Sequence, residues 1–112
     1  MTRLTLLERI ERRLDKSTGC WIWTGSLSHN GYGHAHVGNT VVRVHRLVYT
    51  LLVGPIPEGL HLDHVEERGC TSRACCNPAH LEPVTQAENN RRAAARRRAR
   101  LLADIAEMAQ AA

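Results

Sequence analysis

His61-Leu62-Asp63-His64-Val65, then Cys70-Thr71-Ser72-Arg73-Ala74-Cys75-Cys76-Asn77-Pro78-Ala79-His80-Leu81, then Glu88-Asn89-Asn90-Arg91 are the stretches whose reading decides the fold. His61 to Val65 reads as a short strand. Residues 66–79 have loop composition, with Gly69, Asn77, Pro78 and three of the four cysteines. Leu81 to Thr85 reads as a second strand. From Gln86 to Ala111 there is no Gly and no Pro but much Ala and Arg, which favours one long helix. Strand, loop, strand and helix in this order bring the start of a hairpin and the first turn of a helix around one point.

The loop holds a metal-ligand pattern. Cys70, Cys75 and His80 fall five residues apart. Structural zinc prefers four Cys or His ligands in a tetrahedron, so a fourth must come from elsewhere, and Cys20 is the available partner. It would tie the N-terminal half of the chain to the loop. Cys76 is the spare by spacing, and its exchange with Cys75 is the competing choice. The rest of the chain argues for such a staple. In 112 residues there is no Phe, two Trp and two Tyr, and much of the apolar content is Ala near the C-terminus. A chain of this length buries one modest core, and small domains short of core lean on metals or disulfides.

Outward from the loop, Thr5 to Leu14 reads as a helix, with Thr5 and Glu8 spaced as a capping box and Leu7, Ile10 and Leu14 on one face. Ser17-Thr18-Gly19 breaks it. Cys20 to Thr24 is β-rich, and Trp21 and Trp23 read as core residues. Asn30-Gly31 is a hairpin signal, Tyr32 to Val37 a second strand, Gly38-Asn39 a turn and Thr40 to Val44 a third strand, which together suggest a meander. His45 to Val53 reads as a short helix stopped by Gly54-Pro55-Ile56-Pro57. The expected organisation is a single domain over 1–112: an N-terminal helix (1–16), a β-meander and short helix (19–59), the strand-loop-strand-helix unit (60–92) and a helical extension (93–112).

The formal net charge is +4 and the pI about 9.2, which suits an anionic partner such as nucleic acid. The N-terminus is charged throughout, without the apolar centre of a signal peptide, and no run of about 18 apolar residues exists, so no membrane span is expected. In a cytosolic chain the thiols stay reduced, and Cys with His reads as metal before disulfide.

Asp63, His64 and Asn89 are the catalytic candidates. Hydrolysing a phosphodiester needs a base to activate water and a divalent cation to neutralise charge on the phosphate and the leaving oxygen. Neutral His suits the first task near pH 7; the oxygens of Asp and Asn suit a hard ion such as Mg²⁺. Singly, His64 is an ordinary strand histidine and Asn89 an ordinary helix-start residue; together they form a constellation.

With these residues in view, the segment from about Gly19 to Arg92, roughly two thirds of the chain, resembles the HNH endonucleases of phages and introns, and the His-Cys box homing endonucleases. The resemblance rests on Gly19-Cys20-Trp21-Ile22-Trp23-Thr24-Gly25, Asn30-Gly31-Tyr32-Gly33, Val44-His45-Arg46-Leu47-Val48-Tyr49, Gly54-Pro55-Ile56-Pro57-Glu58-Gly59, Asp63-His64, Cys75-Cys76-Asn77-Pro78-Ala79-His80-Leu81-Glu82, Val84-Thr85 and Glu88-Asn89. It implies an α+β fold, a small zinc-stabilised ββα-metal (His-Me finger) domain. It also implies His64 as general base, Asn89 and the preceding Asp63 as ligands of a catalytic Mg²⁺ or other divalent cation, and Zn²⁺ on Cys20, Cys70, Cys75 and His80. The implied activity is DNA cleavage to 5′-phosphate and 3′-hydroxyl ends by a phage-encoded, nicking or homing-like nuclease in the cytoplasm of a bacterial host. The sequence departs from the family in three places. His80 takes the position of the middle Asn. Val65 to Gly69 makes the spacer after His64 longer than in the His-Cys box pattern. Asn90 beside Asn89 is an alternative ligand.

Arg43, His45 and Arg46 before the motif, and Arg91 and Arg92 after the metal ligand, are the expected DNA contacts, with Arg96 to Arg100 as an extension along the backbone. A homodimer and phage packaging machinery are possible partners. The rival reading is a non-catalytic zinc-binding DNA-recognition module. A second rival is an adaptor that docks a partner through Leu101, Leu102, Ile105 and Met108.

Overall fold

Thr5 and Glu8 start the chain's first helix as expected: Thr5 Oγ1 accepts from the Glu8 backbone N–H at 3.1 Å and donates to the Glu8 carboxylate at 3.0 Å. The computed structural model describes residues 3–111. Helix α1 spans Leu6–Glu11 and buries Ile10. It ends sooner than the apolar spacing suggests, because Leu14 belongs to a strand. Strand β1 (Leu14–Asp15) pairs antiparallel with β2 (Ile22–Trp23), Leu14 opposite Trp23.

The expected three-stranded meander is therefore replaced by two separate hairpins. β2 takes β1 as its partner, and its remaining edge is filled by the cysteine loop: Trp23 N–H donates to Ala74 at 3.0 Å, and Cys76 N–H donates to Trp21 at 2.8 Å. Strands β3 (His34–Val37) and β4 (Thr40–Arg43) form their own hairpin around Gly38, whose φ of +59° suits the tight turn. Trp23 is buried and lies against two glycines. A Cβ on Gly25 or Gly33 would come within 2.7 Å or 2.6 Å of its indole.

Helix α2 (Val44–Leu52) follows β4 directly and buries Val44, His45 and Val48. The main core is Ile10, Trp23, Val44, Val48 and Cys76, with Leu6, Leu14, Trp21, Ala35 and Leu47 packed around it. Trp21 is only partly buried and lies under the Lys16 ammonium, 4.0 Å from the ring centre.

Strands β5 (His61–His64) and β6 (Leu81–Val84) form the third antiparallel pair, Asp63 opposite Glu82 and His64 opposite Leu81. Two 3₁₀ turns, Glu66–Arg68 and Pro78–His80, fold the intervening loop. Helix α3 (Gln86–Ala111) starts under a second capping interaction, Glu88 N–H to Thr85 Oγ1 at 3.1 Å. The β5–β6–α3 unit is the ββα arrangement, within a small α+β fold of short antiparallel strands and helices.

What holds α3 to the hairpin is charge more than apolar contact, for the helix has no buried residue. Arg92, Arg96 and Arg100, four residues apart and so on one helical face, reach Asp63 and Glu82, Asp63 and Glu67, and Glu66 respectively. Beyond Arg100 every described residue of the helix is exposed, including Leu101, Leu102, Ile105 and Met108. Among the described residues no helix is long and apolar enough to cross a membrane.

Candidate metal centre and catalytic cleft

The cysteine loop closes on itself. Asn77 caps the second 3₁₀ turn, accepting from Ala79 N–H at 3.0 Å, and its amide donates to the Gly19 carbonyl at 2.8 Å. This clamp brings the Cys20 end of the N-terminal segment onto the loop. Cys20, Cys70, Cys75 and His80 are all buried, and their ligand atoms lie within 4.8 Å of one another. His80 Nδ1 is 3.7 Å from Cys20 Sγ and 3.6 Å from Cys75 Sγ. A zinc tetrahedron with bonds of about 2.3 Å spaces its sulfurs roughly 3.8 Å apart, so the four side chains fit that ion.

Cys75 is the readiest thiolate. The hydrogen bond from Cys70, outweighing burial and helped by the Asn77 N–H, brings its pKa down to about 4. Cys70, as the donor and also buried, is pushed up. Cys76 faces away into the main core, where burial raises its thiol to about 12. Geometry therefore selects Cys75 over Cys76 for the cluster.

His64 stands at the end of β5, beside this cluster. Its Nδ1 is 3.3 Å from Cys70 Sγ. Its Nε2 is buried without a hydrogen-bond partner. Burial pushes the His64 pKa below its usual value, so the ring is neutral near pH 7. The cleft over it is lined by Tyr32, Leu62, Arg73 and Asn89, with Arg97 and Arg100 farther along. Asn89, in the first turn of α3, also lines an adjoining cleft with Tyr32, Arg43, His45 and Arg46. Asn90 is exposed and its side-chain oxygen accepts from Gln86 at 2.8 Å, so of the two it is Asn89 that faces His64.

Three expected site residues sit differently from their sequence reading. Asp63 is 4 % exposed, and its two oxygens accept from Arg96 at 3.0 and 3.0 Å and from Arg92 at 3.1 Å. Burial raises its pKa, but these two guanidiniums overcome that and leave it below the usual carboxylate range. Arg92, expected on DNA, is spent on Asp63, Glu82 and Glu88. His45, expected with Arg43 and Arg46 at the surface, is 5 % exposed. Its ring lies 5.4 Å from Tyr32 and 5.3 Å from His64 between centres. Burial, with smaller contributions from His64, Arg43 and Arg46, lowers its pKa to about 3, and its Nδ1 is a second buried nitrogen without a partner.

The remaining basic residues keep their surface. Arg43 lies over Tyr32, 5.0 Å from the ring centre. Arg46 donates to the Leu60 carbonyl at 3.3 Å. Arg91 is exposed and paired with Glu88, whose pKa its guanidinium, with that of Arg92, brings down to about 2. Sequence reasoning missed Tyr32, Arg73 and Arg97 as parts of the cleft. Tyr32 closes a triangle of rings with His45 and His64 (5.8 Å from the latter), and Arg73 flanks it from the cysteine loop at 5.8 Å. The one signal in the sequence was the place of Tyr32 within Asn30-Gly31-Tyr32-Gly33.

With this geometry the comparisons are direct. Residues 42–91 match the HNH endonuclease family. The HNH segment so defined runs from β4 to the first turns of α3. It holds His45, His64, Cys70, Cys75, His80 and Asn89, with Cys20 added from outside. Among curated relatives, Protein 2.8 of Escherichia phage T7 is 37 % identical over 90 residues, covering 79 % of this chain and 56 % of that protein. Protein 7.7 of the same phage is 34 % identical over 71 residues, 63 % of this chain and 52 % of that protein. The Uncharacterized gene 5.3 protein of Enterobacteria phage T3 is 29 % identical over 79 residues, 64 % of this chain and 74 % of that protein. The chain thus spans about half the length of the two T7 relatives. No solved structure matches it.

Proposed function

We propose that this chain is a metal-dependent DNA endonuclease of HNH type, with His64 as general base and Asn89 as the side chain that holds the catalytic divalent cation. The observation that carries the reading is the pairing of Asn89 with a neutral His64, whose Nε2 has no partner, in one cleft. His64 accepts a proton at Nε2 from the water that attacks phosphorus. The bond from phosphorus to the 3′ oxygen breaks, leaving a 5′-phosphate and a 3′-hydroxyl. The divalent cation, Mg²⁺ or a relative, supplies the positive charge that stabilises the phosphate and the leaving oxygen.

The zinc group sits behind the base. With Cys70 as a metal-bound thiolate, His64 Nδ1–H donates to sulfur and the lone pair falls on Nε2. Cys20, Cys75 and His80 complete that holding set. Arg43 and Arg46 on one side of Tyr32, and Arg73 and Arg97 on the other, contact phosphates and give affinity without sequence readout. Arg91 extends that surface. Asp63 and Arg92 join α3 to β5 in this reading, and so hold Asn89 opposite His64. The protein acts in the cytoplasm of a bacterial cell as part of a phage-type system, and the reading requires neither a second copy nor packaging machinery.

The test is supercoiled plasmid incubated with the zinc-loaded protein and Mg²⁺, with and without EDTA. Conversion to open circles or linear DNA that EDTA abolishes supports the reading. Tight DNA binding with no cleavage in Mg²⁺, Mn²⁺ or Ni²⁺ would replace it with the non-catalytic zinc-binding recognition module.

A further inference from the structure

Two buried imidazole nitrogens lack any hydrogen-bond partner among the described residues, and they belong to neighbouring rings: His64 Nε2 and His45 Nδ1. Leaving a buried polar atom unsatisfied is costly and rare in native folds. The base role accounts for His64. Nothing in the reaction as described accounts for His45, which is 95 % buried yet lines the same cleft as Asn89. Its surroundings are cationic or aromatic, so no acid group in contact explains the nitrogen.

The cation, on the other hand, is one ligand short. Asp63 is expected beside Asn89, but both of its oxygens are occupied by Arg92 and Arg96, and freeing either would leave buried guanidiniums unpaired. We propose that His45 takes that place: His45 and Asn89 together hold the catalytic divalent cation. This assignment rests on the endonuclease reading and names the second protein ligand of its site. A neutral imidazole with a neutral amide oxygen is a softer, less charged donor set than Asn with Asp. It favours Mn²⁺, Co²⁺ and Ni²⁺ over Mg²⁺. The placement follows from the fold. β4 runs straight into α2, so His45 occupies the second residue of that helix and turns inward with Val44 and Val48, while the arginines on either side stay at the surface.

The experiment titrates Co²⁺ into zinc-loaded protein without DNA, by calorimetry, for the wild type, His45→Phe and Asn89→Ala. Phe keeps a ring against Tyr32 and His64 while removing the nitrogen. Zinc content and the unfolding midpoint are measured beside each titration, and His45→Leu replaces His45→Phe if the latter loses zinc. The wild type is expected to bind one Co²⁺ beyond its zinc, and both variants to bind it at least about tenfold more weakly, the minimum that even an outer-shell change costs. A measurement on the wild type alone guards against folding artefacts: substoichiometric Mn²⁺ broadens the His45 ring proton signals in NMR. Wild-type affinity in His45→Phe, or sharp His45 signals with Mn²⁺ bound, overturns the proposal. If Asn89→Ala still loses the ion in that case, the endonuclease reading stands without it. A wild type that binds no Co²⁺ or Mn²⁺ beyond zinc, with or without DNA, overturns both.

Discussion

Replacing Asp63 with Asn tests whether charge docks α3. The Asp63 carboxylate is nearly fully buried and accepts three hydrogen bonds at 3.0–3.1 Å from two guanidiniums. Removing one partner of a buried ion pair typically costs about 3–5 kcal/mol, since the other charge is left uncompensated. Here the arginines are not stranded: Arg92 keeps Glu82 and Glu88, Arg96 keeps Glu67, and their side chains are 21 % and 13 % exposed. The loss therefore lies at the low end, about 3 kcal/mol. For a domain of this size that is a fall in Tm of roughly 10 °C or more. Calorimetry of zinc-loaded wild type and variant at neutral pH is the assay. The folded pKa of Asp63 is depressed, so its contribution is present above the unfolded value and lost as the pH falls through the folded one. The gap between the two proteins should accordingly close in acid. A variant that retains its zinc and melts within about 2 °C of wild type would refute the strut.

Other outcomes follow from named contacts. His45 has a folded pKa of about 3 against an ordinary 6.5, so the unfolded chain takes up a proton first. Stability is full above 6.5 and falls below it by about 1.4 kcal/mol per pH unit, some 2 kcal/mol between pH 7 and pH 5. Urea titrations at the two pH values should show this component in wild type and lose it in His45→Phe; equal slopes would remove His45 as its source. Cys20→Ser and Cys75→Ser should each lose zinc by elemental analysis, while Cys76→Ser keeps it, because Cys76 lies in the apolar core; zinc loss from the last would mean the ligands are misassigned. Gly33→Ala puts a Cβ 2.6 Å from the buried Trp23 ring. It should cost about 1–3 kcal/mol in urea unfolding, and a neutral result would show that the indole has room to move.

The ββα unit was legible because each piece has a local signal: the turn-rich loop between two short strands, the Gly- and Pro-free run that becomes α3, and the even spacing of Cys70, Cys75 and His80. The fourth cluster member, Cys20, was legible by elimination. β1 was not legible, because Leu14 falls on the apolar face of α1 by spacing, and only its cross-strand contact with Trp23 makes it a strand residue. The duties of Asp63 and Arg92 were hidden for a similar reason. Their pairing spans 29 residues and depends on how α3 lies along β5. His45 between two arginines resembles a surface residue until the start of α2 is fixed at Val44; the buried positions 44, 45 and 48 then follow from helical geometry.

The central claim is that His64 removes the proton from the attacking water, and it is tested most directly by the cleavage rate of His64→Ala beside its DNA affinity and zinc content. The account predicts a fall of roughly a hundred- to ten-thousand-fold in rate, with zinc and DNA binding retained. A folded, zinc-loaded His64→Ala protein that cuts plasmid at the wild-type rate would contradict it.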